Sequence, residues 1–244
     1  WNVFFLRKKM VMAYLTPAER LGIFSLVSSE AKVGASALKR TAIFTNKQLV
    51  LADGSISLDR LDRLEAVRTR FFALEDVIVD LTGALSDSKG FTDASRAPIL
   101  GKLCTFSFVT KLVLHDNDIA VVPDAIMALT NLKYLSLAHN SIATLPDWIG
   151  GMTALTELWL NDNQLAGLPD AIGQLTGLKT LMLEHNQITA LPESIVELTN
   201  LTTMFINYNP SLIPSAQSAK VQAWLQALED TPLGYAIRGA RLVE

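Results

Sequence analysis

The sequence predicts an α/β fold in the form of a right-handed solenoid, preceded by a helical N-terminal region and closed by a C-terminal capping helix. Three observations predict it. From Val109 onward the chain returns to the same pattern every 23 residues; each copy opens with alternating apolar residues; and each passes through an Asn into a Pro-acid pair and a short apolar stretch. A recurrence of this length is the mark of stacked coils that share one continuous core.

Residues 1–90 read as a helical N-terminal region. Thr16-Pro17-Ala18-Glu19 has the form of a capping box, with Thr16 as cap and Pro17 as first helical residue, and Leu21, Phe24 and Val27 follow at helical spacing. Leu58, Leu61, Leu64, Val67, Phe71, Leu74, Ile78, Leu81 and Leu85 recur at intervals of three and four, which predicts a long amphipathic helix over 58–85. The opening stretch WNVFFLRKKMVMAYL mixes apolar residues with three cations, and reads as a core-facing helix, with a targeting or surface helix as the alternative. Because the first residue is Trp1 and not Met, a processed or truncated N-terminus is expected. The Ser-, Asp- and Gly-rich stretch 86–95 marks the boundary, and 91–108 is expected to cap the solenoid.

The five repeats occupy 109–214. They begin at Val109, Leu132, Leu155, Leu178 and Leu201, the clearest being LKYLSLAHNSIATLPDWIGGMTA, LTELWLNDNQLAGLPDAIGQLTG and LKTLMLEHNQITALPESIVELTN. Segments 111–115, 134–138, 157–161, 180–184 and 203–207 are expected to form one parallel sheet. Side chains alternate faces along a strand, so Leu135 and Leu137 point to the core. Asn117, Asn140, Asn163, Asn186 and Asn209 stand where each strand turns away, placed to bond backbone groups of neighbouring coils. Pro123, Pro146, Pro169 and Pro192, each followed by an acid, suit the start of a brief helix on the convex side.

The pattern L-x-x-L-x-L-x-x-N-x-L followed by L-P-x-x-I resembles the leucine-rich-repeat family, in particular its 23-residue intracellular class related to Ras-binding and Ras-suppressor proteins. The resemblance covers residues 109 to about 215. It implies a leucine-rich-repeat solenoid and a role in protein interaction, and leaves the partner open. Beyond the repeats, 215–244 is expected to form the C-terminal cap and tail, with a helix over 215–228 carrying Val221, Trp224, Leu225 and Leu228 on its apolar side.

Composition narrows the function. A net charge of −3 and 18% charged residues give no cationic surface for a polyanion, so nucleic acid is not an expected partner. The single cysteine, Cys104, excludes an internal disulfide and points to a reducing, intracellular and cytoplasmic setting, with an organelle as the open alternative. No apolar run reaches the roughly 18 residues needed to span a bilayer, so no transmembrane segment is expected. No phosphate-binding glycine loop, metal-spaced Cys/His set or paired nucleophile and base is present, and the expected enzyme, cofactor and metal content is none. Cys104 reads as a small buried residue.

The candidate site is therefore a surface. Val113, Ser136, Trp159, Met182 and Phe205 occupy the centre of the concave strands, facing opposite to the core leucines, and the large ones are expected to be exposed together as an apolar patch. Lys111, Tyr134, Glu157, Thr180 and Thr203 border it. The column Asp116, His139, Asp162, His185 and Tyr208 adds an Asp/His ladder, with His139 and His185 flanking Asp162 but about two strand spacings apart, roughly 10 Å, too far for one metal ion. An aromatic centre with a polar rim is the usual composition of a protein-binding hot spot. Lys111, Val113, Tyr134, Ser136, His139, Glu157, Trp159, Asp162, Met182, His185, Phe205 and Tyr208 are thus the expected partner contacts, unless helices of this same chain cover the patch.

The leading functional expectation is a non-catalytic interaction module or scaffold subunit that binds a partner protein, alone or within a larger complex. Two alternatives belong to other classes. MAYLTPAERLGIFSLVS, residues 12–28, resembles the second half of an F-box, which would make the chain a substrate receptor of a cullin ubiquitin ligase, although the tryptophan common after that ending is missing. The resemblance to the 23-residue class also implies a regulatory subunit docking on a GTPase or a phosphatase.

Overall fold

The computed structural model describes residues 41–45, 76–89 and 91–229. They form one seven-stranded parallel sheet in which the strands lie in chain order: β1 (Thr41–Thr45), β2 (Asp76–Asp80), β3 (Lys111–Val113), β4 (Tyr134–Ser136), β5 (Glu157–Trp159), β6 (Thr180–Met182) and β7 (Thr203–Phe205). From β3 to β7 the register advances by one repeat per strand, Leu112 beside Leu135, then Leu158, Leu181 and Met204. The five expected strands are thus present in one sheet, each three residues long, because the Asn turn takes over where the fourth and fifth residues were expected to continue.

Every coil buries the same positions. Leu135, Leu137, Ile142 and Ile149 are fully buried, as are Leu158, Leu160, Leu165 and Ile172 one coil on. The Asn ladder closes the turns: Asn163 Oδ1 accepts the Ile142 amide at 3.0 Å, and its Nδ2 donates to Leu137 O of the preceding coil at 2.9 Å and to Leu160 O of its own at 3.1 Å. Asn186 and Asn209 repeat the arrangement. At the end of the ladder Gln217 takes over, accepting the Leu191 amide and donating to Thr189 O.

The convex side corrects one detail. The Pro-acid pairs introduce five-residue 3-10 helices, Asp124–Ala128, Asp147–Gly151, Asp170–Gln174 and Glu193–Glu197. Each Pro is the extended residue before the helix, not its first member; Pro146 has ψ 151°. These helices pack closely where glycine permits it. A Cβ added at Gly173 would lie 2.5 Å from the Ser194 carbonyl oxygen, whereas one at Gly151 would meet nothing within 4 Å. Gly173→Ala is therefore expected to destabilise by about 1–3 kcal/mol through overpacking against backbone. Gly151→Ala should leave the urea midpoint nearly unchanged, and equal midpoints for the two variants would contradict the close approach.

The expected helix over 58–85 is also corrected at its end, over 76–85. Ile78 lies in β2, and Leu81 to Leu85 form the turn after it. Val77, Ile78 and Val79 are β-branched, which favours strand, and Val79 pairs with Leu112 in the repeat register. Leu81 N donates to Val113 O and Gly83 N to His115 O, so 76–85 is a degenerate coil without its own Asn. Its spacings of three and four arise from strand and turn. The sheet consequently starts two strands before the expected one, within the segment read as helical; residues 1–40 and 46–75, which carry the capping-box and F-box-like stretches, lie outside the described residues.

Two helices flank the repeats. α1 (Asp93–Leu103) places Leu100 and Leu103 in the core, and the buried Arg96 bonds Leu85 O at 2.7 Å and pairs with Asp87, tying this helix to the degenerate coil; because β2 and β1 continue the sheet past it, it does not end the stack as 91–108 was expected to. Cys104 is buried behind it, and burial pushes its thiol up to about 12. α2 (Ala219–Glu229) fulfils the capping expectation at the other end: Val221 is fully buried and Trp224 and Leu225 pack on the core. Among the described residues, no helix is long and apolar enough to cross a membrane.

Candidate interaction surface

Four columns of side chains run across the concave strands. The entry column holds Lys111, Tyr134, Glu157, Thr180 and Thr203; the central one Val113, Ser136, Trp159, Met182 and Phe205; the next His115, Ala138, Asn161, Glu184 and Asn207; and the last Asp116, His139, Asp162, His185 and Tyr208.

The central column differs from expectation. Val113, Trp159, Met182 and Phe205 are half-buried, and Ser136 is wholly buried, its hydroxyl 2.7 Å from His115 Nε2. Ser136 is therefore no surface contact. Trp159 covers this spot: its ring is 5.7 Å from that of Tyr134 and 6.3 Å, edge-on, from that of His115. Lys111 Nζ in turn lies 5.9 Å from the Tyr134 ring centroid. Aromatic rings are wide enough to shelter each other across a 4.8 Å strand spacing, which is why the side chains form a half-buried stripe and not a fully exposed patch.

The last column is the exposed one. Asp116, His139, Asp162, His185 and Tyr208 all have φ between 52° and 57°, the left-handed conformation that lets the strand turn at the Asn ladder. Gly83 takes the same place in the degenerate coil. His139 and Asp162 approach to 3.6 Å, a pair that carries charge on both sides only when the imidazole is protonated. His185 does not flank Asp162 in the same way; its ring stacks on Tyr208 at 4.3 Å and 13°. Tyr208 is 66% exposed.

His115, Asn161 and Glu184 were not among the expected contacts, because their residue types vary from coil to coil and only the register places them in one column. Burial lowers the His115 pKa, with Asp116 opposing and His139 adding to the shift. Burial raises those of Glu184 and Tyr134. Among the described residues no group of three or more His, Cys, Asp or Glu side chains is placed to hold a metal ion.

Residues 108–165 and 155–210 both match the family described as leucine rich repeat. These coils are leucine-rich repeats. No curated protein matches the chain. Among solved structures, a leucine-rich-repeat protein of Leptospira interrogans is 32% identical over 46% of this chain and 31% of its own, with a TM-score of 0.43. A plant peptide hormone receptor in complex with RGF2 is 36% identical over 43% of this chain and 18% of its own, TM-score 0.41. The leucine-rich-repeat ectodomain of the membrane receptor kinase GASSHO1/SCHENGEN3 from Arabidopsis thaliana is 29% identical over 46% and 14%, TM-score 0.42. The chain thus spans under a third of the length of each. Leucine-rich repeats typically serve as non-enzymatic interaction modules, and commonly mediate contacts between proteins.

Proposed function

We propose that this chain is a non-catalytic interaction module or scaffold subunit that holds a partner protein on the concave face of its leucine-rich repeats. The observation that supports this reading is the continuous stripe of Tyr134, Trp159, Met182 and Phe205 on neighbouring strands, half-buried and bordered by Lys111, Glu157, His139, Asp162, His185 and Tyr208. Large side chains partly held in place by each other lose little freedom on binding, and polar neighbours set orientation. Ser136 supports the stripe from beneath through His115. The lone and buried Cys104 favours an intracellular setting within this proposal.

The test compares Trp159→Ala with Trp148→Ala. Trp148 lies on the convex side, its Nε1 donating to Asp124 at 2.7 Å. Proteins retained by the full chain from its native source are identified and their affinities measured. Trp159→Ala should weaken the specific partner by about 2 kcal/mol, roughly thirtyfold, and cost about 1 kcal/mol of stability through lost ring packing. Trp148→Ala should leave affinity unchanged. Equal affinities for wild type and Trp159→Ala would remove the concave face from the binding mechanism.

A further inference from the structure

The concave face has a sign as well as a shape. In its central and exit columns, from the degenerate coil onward, stand Asp80, Asp116, Asp162 and Glu184, with His115, His139 and His185 among them, His139 beside Asp162, and no Lys or Arg. Lys111, Lys133 and Lys179 belong to the entry side of the strands. Within this acidic half, three polar atoms close together in the register have lost water without gaining a partner: Trp159 Nε1, Asn161 Oδ1 and Glu184 Oε2. Asn161 and Glu184 are neighbours in one column, and Trp159 stands two residues before Asn161 on the same face. An unsatisfied buried acceptor typically costs about 1–3 kcal/mol, so a donor arriving at Asn161 Oδ1 and Glu184 Oε2 removes a penalty as well as adding a contact, whereas Trp159 Nε1, itself a donor, offers it only the ring face. Burial, aided by the Asp162 carboxylate and opposed by His185, also keeps the Glu184 carboxyl above its ordinary range.

From this arrangement, and resting on the interaction role proposed above, we infer that the concave face receives an extended, arginine-bearing segment of the partner protein, with the guanidinium over the Trp159 ring and bonded to Asn161 and Glu184. Arginine fits on three counts. Its planar fork carries several donors for two acceptors, it stacks on aromatic faces, and it sheds water more readily than an ammonium group. The same stripe already places one cation, Lys111, against an aromatic ring. Five strands at about 4.8 Å give a track of roughly 20 Å, suited to an extended segment, and Asp116 and Asp162 along it favour further basic residues. Trp159, Asn161 and Glu184 each remain partly exposed, so their buried ends can turn toward an incoming group.

The experiment displays a random peptide library against the immobilised full chain. Selected peptides should be enriched in arginine. Replacing that arginine by citrulline, which keeps the shape and removes the charge, should weaken binding about tenfold or more, as should Glu184→Gln, while Trp148→Ala has no effect. Peptides selected without arginine enrichment, or indifferent to citrulline, overturn the arginine assignment; if Trp159→Ala still abolishes their binding, the concave-face reading stands alone. Peptides indifferent to Trp159→Ala, or no selected peptide at all, overturn both.

Discussion

Asn163→Ala is expected to lower the unfolding free energy of the repeats by about 2 kcal/mol, because a buried backbone amide of the preceding coil has this side chain as its acceptor. Its removal leaves the Ile142 amide without its acceptor and takes one of two donors from the Leu137 and Leu160 carbonyls, which keep the amides of Asn140 and Asn186. The orphaned amide costs about 1–3 kcal/mol, reduced where water can enter the space left by the side chain. Asn163→Asp keeps the acceptor but sets a charged oxygen against the Leu137 and Leu160 carbonyls that Nδ2 had bonded, so its loss should be at least as large as that of Asn163→Ala. Urea unfolding of the full chain measures the total. Stacked coils need not unfold all at once, so hydrogen exchange at Ile142 and Leu165 locates the loss. A change below about 0.5 kcal/mol, the range of neutral surface substitutions, would show that the ladder is not a source of stability.

Leu160→Ala is expected to cost about 2–5 kcal/mol, the range for emptying a fully enclosed leucine site. Leu160 is wholly buried in the middle coil, with Leu137 and Leu183 at the same position in the coils on either side, so the space it leaves is lined by side chains fixed in their own coils. Trp159 is the informative comparison. It is the larger residue and adjoins Leu160 in sequence, yet one face of it is open to solvent. Truncating Trp159 should therefore cost less stability than truncating Leu160, despite removing more atoms. The reverse order of melting temperatures would place Trp159 in the internal packing and Leu160 nearer the surface, against the observed register.

The repeat length, the strand positions, the core leucines and the structural role of the Asn residues were legible in the sequence because each follows from local periodicity. A side chain at Leu135 must face opposite to Tyr134, and an Asn that recurs at one phase of each coil must meet the same backbone groups each time. The coil at 76–85 was not legible, since it has no Asn, and spacings of three and four fit a helix as well as a strand and turn. Its assignment depends on the pairing of Val79 with Leu112. The Pro residues stand just before the short helices and not in their first turn for a similar reason, their extended ψ being set by the coil they close.

For the surface, sequence alone determined which residues share a face, and so placed Lys111, Tyr134, Glu157, Trp159, Met182, Phe205, His139, Asp162, His185 and Tyr208 together on the concave side. Only the tertiary structure decided how deeply each one sits. Ser136 is buried because Trp159 and His115 close over it, His185 turns to Tyr208 and away from Asp162, and Asn161 and Glu184 come together across a strand boundary. The physical reason is that periodicity fixes direction along one coil, whereas exposure depends on the size of the side chain 23 residues away, and an aromatic ring reaches across the strand spacing to shelter its neighbour.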